Sequence, residues 1–299
     1  MDIRSARRDG IAQLASSPTP ALDIDVLLEH ITGRSKSYFL SHGETELTAQ
    51  QLTDFTGAVA LRQTGLPVAY ITGHKEFYGI DFLITKDVLI PKPDTELMVE
   101  HAVNWISRNI SCTPAGSIRI ADICTGSGCI GLSVLHELRI PVSLTLTDIS
   151  AGALNIARQN ALYVLSPEQQ RNISFLQGDL LQAVPKNTRF TVILCNPPYI
   201  PAAEVTELLR DGRGEPRLAL DGDAGTADGT PGSSDGLAVI RRLLPQAFTH
   251  LAHGGILMLE TGEYNAEEAA VLIKKTGFTQ VTTYRDLAGQ LRLTTGIKQ

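Results

Sequence analysis

Asn196-Pro197-Pro198-Tyr199 is the stretch of this 299-residue chain whose residue types suit a specific and difficult chemistry. An amide or aromatic amine nitrogen has its lone pair delocalised, so a general base alone does little to make it attack a methyl donor. Holding its two N–H hydrogens helps, because the lone pair can then develop towards the donor. The Asn196 side-chain carbonyl and the Pro197 backbone carbonyl can each accept one N–H. The two prolines lock φ and preorganise those acceptors where positive charge develops. Tyr199 offers a flat ring to a planar group, and aromatic residues are only 5% of the chain. Approach in line then supplies most of the rate, with no metal, thiol or histidine required. The motif follows the apolar run Phe190 to Cys195, which reads as a buried strand, so it falls where open α/β sheets bind ligands.

A second constellation is Asp122-Ile-Cys-Thr-Gly-Ser-Gly-Cys-Ile-Gly131, between an expected strand and an expected helix. Gly126, Gly128 and Gly131 satisfy G-x-G-x-x-G, a turn that brings backbone and a helix N-terminus close to a ligand. The next expected strand ends at Asp148, whose carboxylate can accept both hydroxyls of a ribose. Together they imply an adenosine-containing cofactor without choosing between NAD and S-adenosylmethionine. Asp122 suits either a methionine ammonium contact or a helix-capping carboxylate.

These residues need a sheet to position them. Strands are expected over Ile118 to Ile123, Leu144 to Thr147, Ile173 to Gln177, Phe190 to Cys195 and Ile256 to Glu260. They alternate with helices over Ile130 to Leu138, from Ser150 towards Leu165, over Leu237 to Leu251 and over Ala266 to Thr276. Such alternation makes a doubly wound, mostly parallel α/β sheet. Two last strands, around Val281 and Leu291, are too close in sequence for a parallel crossover and must pair antiparallel. Asp221 to Gly236, rich in Gly and Asp, reads as a mobile surface loop with a lid as the sharper alternative.

Residues 1–66 read as helical: a helix over Ile3 to Leu14, one opened by a Thr19 cap and Pro20 and closed by Gly33, and one opened by a Thr48/Gln51 capping box. This segment holds no catalytic constellation, and docking a protein partner or simply capping the fold are its two readings. Residues 67–92, with Phe77, Tyr78, Phe82 and Ile84 and glycines at 73 and 79, read as a β-hairpin linker, leaving 93–299 as the sheet domain.

Composition bounds the rest. An apolar share of 43% supports a core, and no apolar run approaches a membrane span. Arg4, Arg7 and Arg8 have no apolar segment behind them, so no signal peptide is expected, and the compartment is cytoplasmic. Cys112, Cys124, Cys129 and Cys195 have no metal or disulfide spacing and read as reduced thiols, with no metal site. The net charge of −6 disfavours a nucleic-acid substrate.

With these motifs in place, the chain resembles the N5-glutamine methyltransferases that modify peptide chain release factors, the HemK/PrmC family, over nearly its whole length. Val68 to Gly73, Leu89-Ile-Pro-Lys-Pro-Asp-Thr-Glu96, Glu215 to Gly222, Asp235 to Leu237 and Asp286 to Arg292 are similar to further family stretches. The resemblance implies a Rossmann-like class I methyltransferase sheet, an N-terminal helical domain that docks the release factor, and S-adenosylmethionine as cofactor. By position, Cys124, Thr125, Gly126, Ser127, Gly128, Asp148, Asp179, Leu180 and Asn196 would contact the cofactor. Asn196, Pro197, Pro198 and Tyr199 would hold the glutamine of the factor's Gly-Gly-Gln loop. Cys124 stands where many relatives have Gly, Lys92 where Arg is usual, and Leu180 where an aromatic is frequent. A DNA adenine-N6 methyltransferase would share the tetrapeptide, but needs a basic recognition region that residues 67–299 do not carry.

Overall fold

The computed structural model describes residues 1–109, 118–210, 214–224 and 234–299. Cys112 and residues 225–233 of the Gly/Asp-rich stretch therefore lie outside the described residues. The chain divides into two compact units, Met1–His74 with Leu208–Gly214, and Lys75–Glu207 with Glu215–Gln299.

The first unit is built from α1 (Ile3–Gln13), α2 (Pro20–Thr32), α3 (Lys36–Ser41), α4 (Ala49–Gln63) and α5 (Val68–Thr72). They enclose a core of Ile3, Leu14, Ile24, Leu27, Leu28, Phe39, Phe55 and Val59. The Thr48/Gln51 capping box forms as expected, and Gly33 closes α2 with φ +65°. Thr19 occupies the N-cap position without capping: its hydroxyl donates to Asp23 Oδ1 at 2.9 Å, beside the Arg62 guanidinium that also bonds Asp23. Residues 68–72 correct the expected hairpin. They form α5 because Val68 and Ile71, one helical step apart, both pack on the helical core, and Gly73 ends the turn at φ +76°. Packing here overrides β-propensity.

The hairpin itself is β1 (His74–Phe77) and β2 (Ile80–Leu83). Its two-residue turn, Tyr78-Gly79, has positive φ at both positions, and Glu96 Oε1 accepts the Tyr78 N–H at 2.9 Å. The second unit continues with α6 (Glu96–Asn109), β3 (Arg119–Ile123), α7 (Cys129–Glu137), β4 (Ser143–Asp148), α8 (Ala151–Val164), α9 (Pro167–Gln170), β5 (Ile173–Gln177) and β6 (Phe190–Cys195). After β6 come α10 (Ala202–Arg210), α11 (Ala238–His250), β7 (Leu251–Glu260), α12 (Ala266–Thr276), β8 (Thr279–Arg285) and β9 (Leu291–Ile297). Seven strands form one sheet in the order β5-β4-β3-β6-β7-β9-β8. The pairs from β5 through β7 are parallel, while β9 inserts antiparallel between β7 and β8. This is the Rossmann-like mixed sheet that strand-helix alternation implied.

Strand order reverses between β3 and β6, so a crevice opens at their C-terminal ends. The glycine turn leaves β3 there and Asn196 leaves β6. Beneath them Ala121, Ile123, Ile193, Cys195, Leu257 and Leu259 pack with Ile240, Leu243 and Leu244 of α11 in one core cluster.

Candidate active site

Buried carboxylates organise the glycine turn. Asp122, at the end of β3, is fully buried; its Oδ2 accepts from Thr125 Oγ1 at 2.6 Å and from the Gly131 N–H at 3.1 Å. Its Oδ1 has no partner among the described residues. Burial pushes the Asp122 carboxyl up to about 7, against the lowering effect of those two donors. Asp148, at the end of β4, accepts the Gly126 N–H on Oδ2 and the Ser150 N–H on Oδ1, each at 2.9 Å. Burial raises its pKa as well. Each Asp148 oxygen keeps a further lone pair for a ligand hydroxyl.

The three glycines do different work. Gly126 sits at φ +54° with open space where a side chain would go. Gly128 sits at φ +82°, and a Cβ there would lie 2.8 Å from Leu132. A Cβ on Gly131 would meet Leu146 at 2.9 Å and Asp122 at 3.0 Å, so this glycine lets α7 pack tightly on the sheet. Cys124 adopts φ +57°, a conformation that favours glycine and costs a Cβ-bearing residue about 1–2 kcal/mol. Behind the turn, the buried Asn160 of α8 donates to Ser127 O (2.8 Å) and Leu83 O (3.0 Å) and accepts the Leu83 N–H (2.8 Å). It pins the hairpin to the turn.

The tetrapeptide is held differently. Asn196 Nδ2 donates to Thr95 Oγ1 at 3.3 Å. Glu260, the last residue of β7 and 3% exposed, faces Thr95 and Asn196, which favour its charged form. Burial pushes the Glu260 carboxyl up to about 7, opposed by those two side chains and by the Arg292 charge and reinforced by Asp94. Cys129 and Tyr199 also face it electrostatically. Arg292, on β9, pairs with Asp94 at 3.4 Å and Asp286 at 3.1 Å, and its charge faces the Tyr199 hydroxyl. Burial raises the Tyr199 pKa. The Tyr199 backbone oxygen accepts from Asn265 Nδ2 at 3.0 Å and from the Tyr264 hydroxyl at 3.2 Å.

Two glycines clamp the exit from the motif. A Cβ on Gly222 would lie 2.1 Å from Gly236 O and 2.6 Å from Tyr199 Cα; one on Gly236 would lie 2.2 Å from Tyr199 O. Asp223 holds this corner, accepting the Gly236 N–H at 2.7 Å and the Ala202 N–H at 3.0 Å. Ile200 pairs with residues 220–222 through two backbone hydrogen bonds of 2.9 Å. Lys92 Nζ meets Glu215 Oε1 at 2.8 Å. The stretches 89–96, 215–222 and 286–292, remote in sequence, thus converge on the Asn196 loop.

A cavity of about 260 Å³ lies between the two constellations. Cys124, Thr125, Gly126, Ser127, Asp148, Asp179, Leu180, Asn196 and Pro198, all among the expected site residues, line it. Gly128, Pro197 and Tyr199 do not: Gly128 starts α7, Pro197 is buried, and Tyr199 packs against the core cluster. Sequence reasoning missed Asn160, Arg242, Thr95 and Glu260. Arg242 lines the cavity and reaches Asp179 at 3.3 Å, its Nε buried without a partner. Only Glu260 carried a signal, a charged residue closing an apolar strand beside the motif strand.

The cavity suits an adenosine-bearing ligand. Space over Gly126, spare acceptors on Asp148 and the apolar walls of Ile149, Leu180 and Val239 match a turn, a ribose and a base. Among the described residues no group of three His, Cys, Asp or Glu side chains forms a metal site, and no helix is long and apolar enough to cross a membrane.

Residues 5–73 match the family model described as PrmC N-terminal domain, and residues 102–211 match that described as methyltransferase small domain. The release factor glutamine methyltransferase of Coxiella burnetii is 35% identical over 294 residues, covering 98% of each chain. That of Bordetella pertussis is 36% identical over 284 residues, 95% of this chain and 97% of the relative. That of Escherichia coli is 32% identical over 296 residues, 99% of both. Among solved structures, the hMettl16 catalytic domain in complex with MAT2A 3′UTR hairpin 1 aligns over 91% of this chain and 90% of its own, with TM-score 0.53 and 15% identity, a likeness of fold.

Proposed function

The chain belongs to the release factor glutamine methyltransferase family, and on that premise we propose how its residues carry the reaction. The enzyme transfers a methyl group from S-adenosylmethionine to the side-chain amide nitrogen of a glutamine in a peptide chain release factor, the glutamine of the Gly-Gly-Gln loop. The cofactor supplies an electrophilic methyl group on a sulfonium. Family membership leaves the DNA adenine-N6 reading without support.

The observation that carries the residue assignment is the Asn196 amide: with its Nδ2 donating to Thr95 and set beside the buried Glu260, its Oδ1 is the acceptor left for a substrate N–H. Pro197 supplies the second acceptor through its backbone carbonyl. Pro198 borders the cavity, and Tyr199, outside that lining and packed against the core cluster, backs the motif with its ring. Both acceptors favour lone-pair density on the nitrogen that gains the methyl and then gives up one proton to solvent. Cys124 to Gly128 receive the methionine end of the cofactor, Asp148 its ribose, and Asp179 with Leu180 its base.

The helical N-terminal region docks the release factor, and it extends through α5 beyond the expected boundary at residue 66; the N-terminal family match over 5–73 supports this extent. The hairpin that follows links it to the methyltransferase domain. A translation factor as substrate places the reaction in the cytoplasm.

Mass spectrometry of a digested release factor, after incubation with the enzyme and S-adenosylmethionine, should find one added methyl on the Gly-Gly-Gln glutamine. An unmodified factor alongside methylated adenine in DNA overturns the assignment.

A further inference from the structure

The register of the sheet sets a carboxylate beside the reacting motif. Leu259 of β7 lies opposite Cys195 of β6, so Glu260 and Asn196 follow side by side at the ends of neighbouring parallel strands. Thr95, at the turn into α6, completes a closed triangle. Its hydroxyl oxygen accepts from Asn196 Nδ2, and the buried Glu260 carboxyl faces both side chains, which favour its charged form. The Asn196 NH2 is thus turned inward, bonded to Thr95 and set beside the Glu260 carboxyl. Above about pH 7, where Glu260 is ionised, an amide turned the other way would set its oxygen against a buried carboxylate. The Arg292 guanidinium acts on Glu260 through its charge, while its ion pairs go to Asp94 and Asp286 and it also donates to Gln290 Oε1 and Thr261 O.

We propose that Glu260, together with Thr95, is the positioning residue of the methyl transfer: it fixes the Asn196 amide with NH2 inward and Oδ1 towards the substrate amide. This rests on the reading of Asn196 as the acceptor for the glutamine N–H. Glu260 acts through Asn196, so its removal should spare cofactor binding and slow the chemical step.

The test uses the full-length enzyme, S-adenosylmethionine and a release factor. Glu260→Gln keeps the shape and one acceptor; it should lower kcat about tenfold to a hundredfold, with the cofactor Kd within about threefold. Thr95→Val, which removes the other acceptor, should lower kcat about fivefold or more and decides the matter if Glu260→Gln fails to fold. Asn196→Asp sets two carboxylates against each other and should lose more than about a hundredfold. Combining it with Glu260→Gln restores a donor facing an acceptor and should recover about tenfold over Asn196→Asp alone. A purely structural Glu260 gives no such recovery. A kcat within about twofold of wild type for Glu260→Gln, or no recovery in the double variant, overturns the proposal.

An activity-independent readout separates this inference from the function assigned above. The Asn196 side-chain NH2 resonances, identified by their loss in Asn196→Ala, should move in Glu260→Gln without any substrate. Unmoved resonances overturn the positioning role. Moved resonances in an enzyme that leaves the release factor unmethylated sink the function and retain the geometry.

Discussion

At the ends of β3 and β4 the cavity wall is held by carboxylates that accept backbone N–H groups, Asp122 from Gly131 and Asp148 from Gly126 and Ser150. At the ends of β6 and β7 it is held by side chains that meet side chains: Asn196 bonded to Thr95, Glu260 facing both, Arg292 paired with Asp94 and Asp286. Any residue but proline furnishes a backbone N–H, so the first wall depends on its carboxylates and on φ, and it accommodates Cys124 at φ +57° and Leu180 at φ +58°. The second wall depends on the identity of every member. The cofactor side is thus a backbone cradle, and the acceptor side a side-chain lattice.

The largest expected effect tests that division directly. Asn196→Ala should lower kcat about 10²- to 10³-fold while cofactor affinity, measured by calorimetry, stays within about tenfold. Complete loss of cofactor binding would merge the two walls into one. Next in size, Gly222→Ala forces a Cβ to 2.6 Å from Tyr199 Cα, and displacing the motif loop should cost about a hundredfold in kcat. The matching change on the other wall, Gly131→Ala, presses on Asp122 and should weaken cofactor binding while sparing kcat at saturation. Identical kinetic signatures for the two alanines would break the comparison.

Asp148→Asn should weaken cofactor binding about tenfold, the cost of a hydrogen bond to a charged acceptor, with kcat at saturating cofactor near wild type. The smallest effect is in pH dependence. Asp122 and Glu260 ionise near the ordinary carboxylate values of 3.8 and 4.5 when unfolded, but burial keeps them protonated to about 7 when folded. Between those limits the folded state binds more protons, so each group makes stability fall as pH rises. Glu260→Gln removes one such group, and its Tm relative to wild type should climb by a few degrees from pH 5 to pH 8. A constant Tm difference across that range removes Glu260 from the list of buried, raised carboxylates.

Local signals were legible wherever the chain commits its own backbone. The Thr48/Gln51 box, Gly33 and Ser150 stand at the helix ends they promised, because capping is decided within four residues. The parallel strands were legible as short apolar runs, and Asp148 as the polar residue that ends one. The helices α3, α5, α9 and α10 were not. Each has few buried positions, so too little apolar periodicity marks it, and α5 forms because its apolar residues find the helical core. Thr19 looked like a cap from composition, yet Asp23 took its hydroxyl.

The sequence by itself determined a doubly wound sheet, a glycine turn paired with Asp148, and a tetrapeptide fit to hold an NH2 group. These follow from periodicity, locked φ and side-chain chemistry within a few residues of one another. Only the tertiary structure decided that Thr95, Glu260 and Arg292 surround Asn196, and that Gly222 and Gly236 leave room for Tyr199. Those partners are joined by sheet register and by long-range packing, and neither leaves a trace in local spacing. Register also decides which carboxylate is buried beside which amide, and so which way the Asn196 oxygen faces.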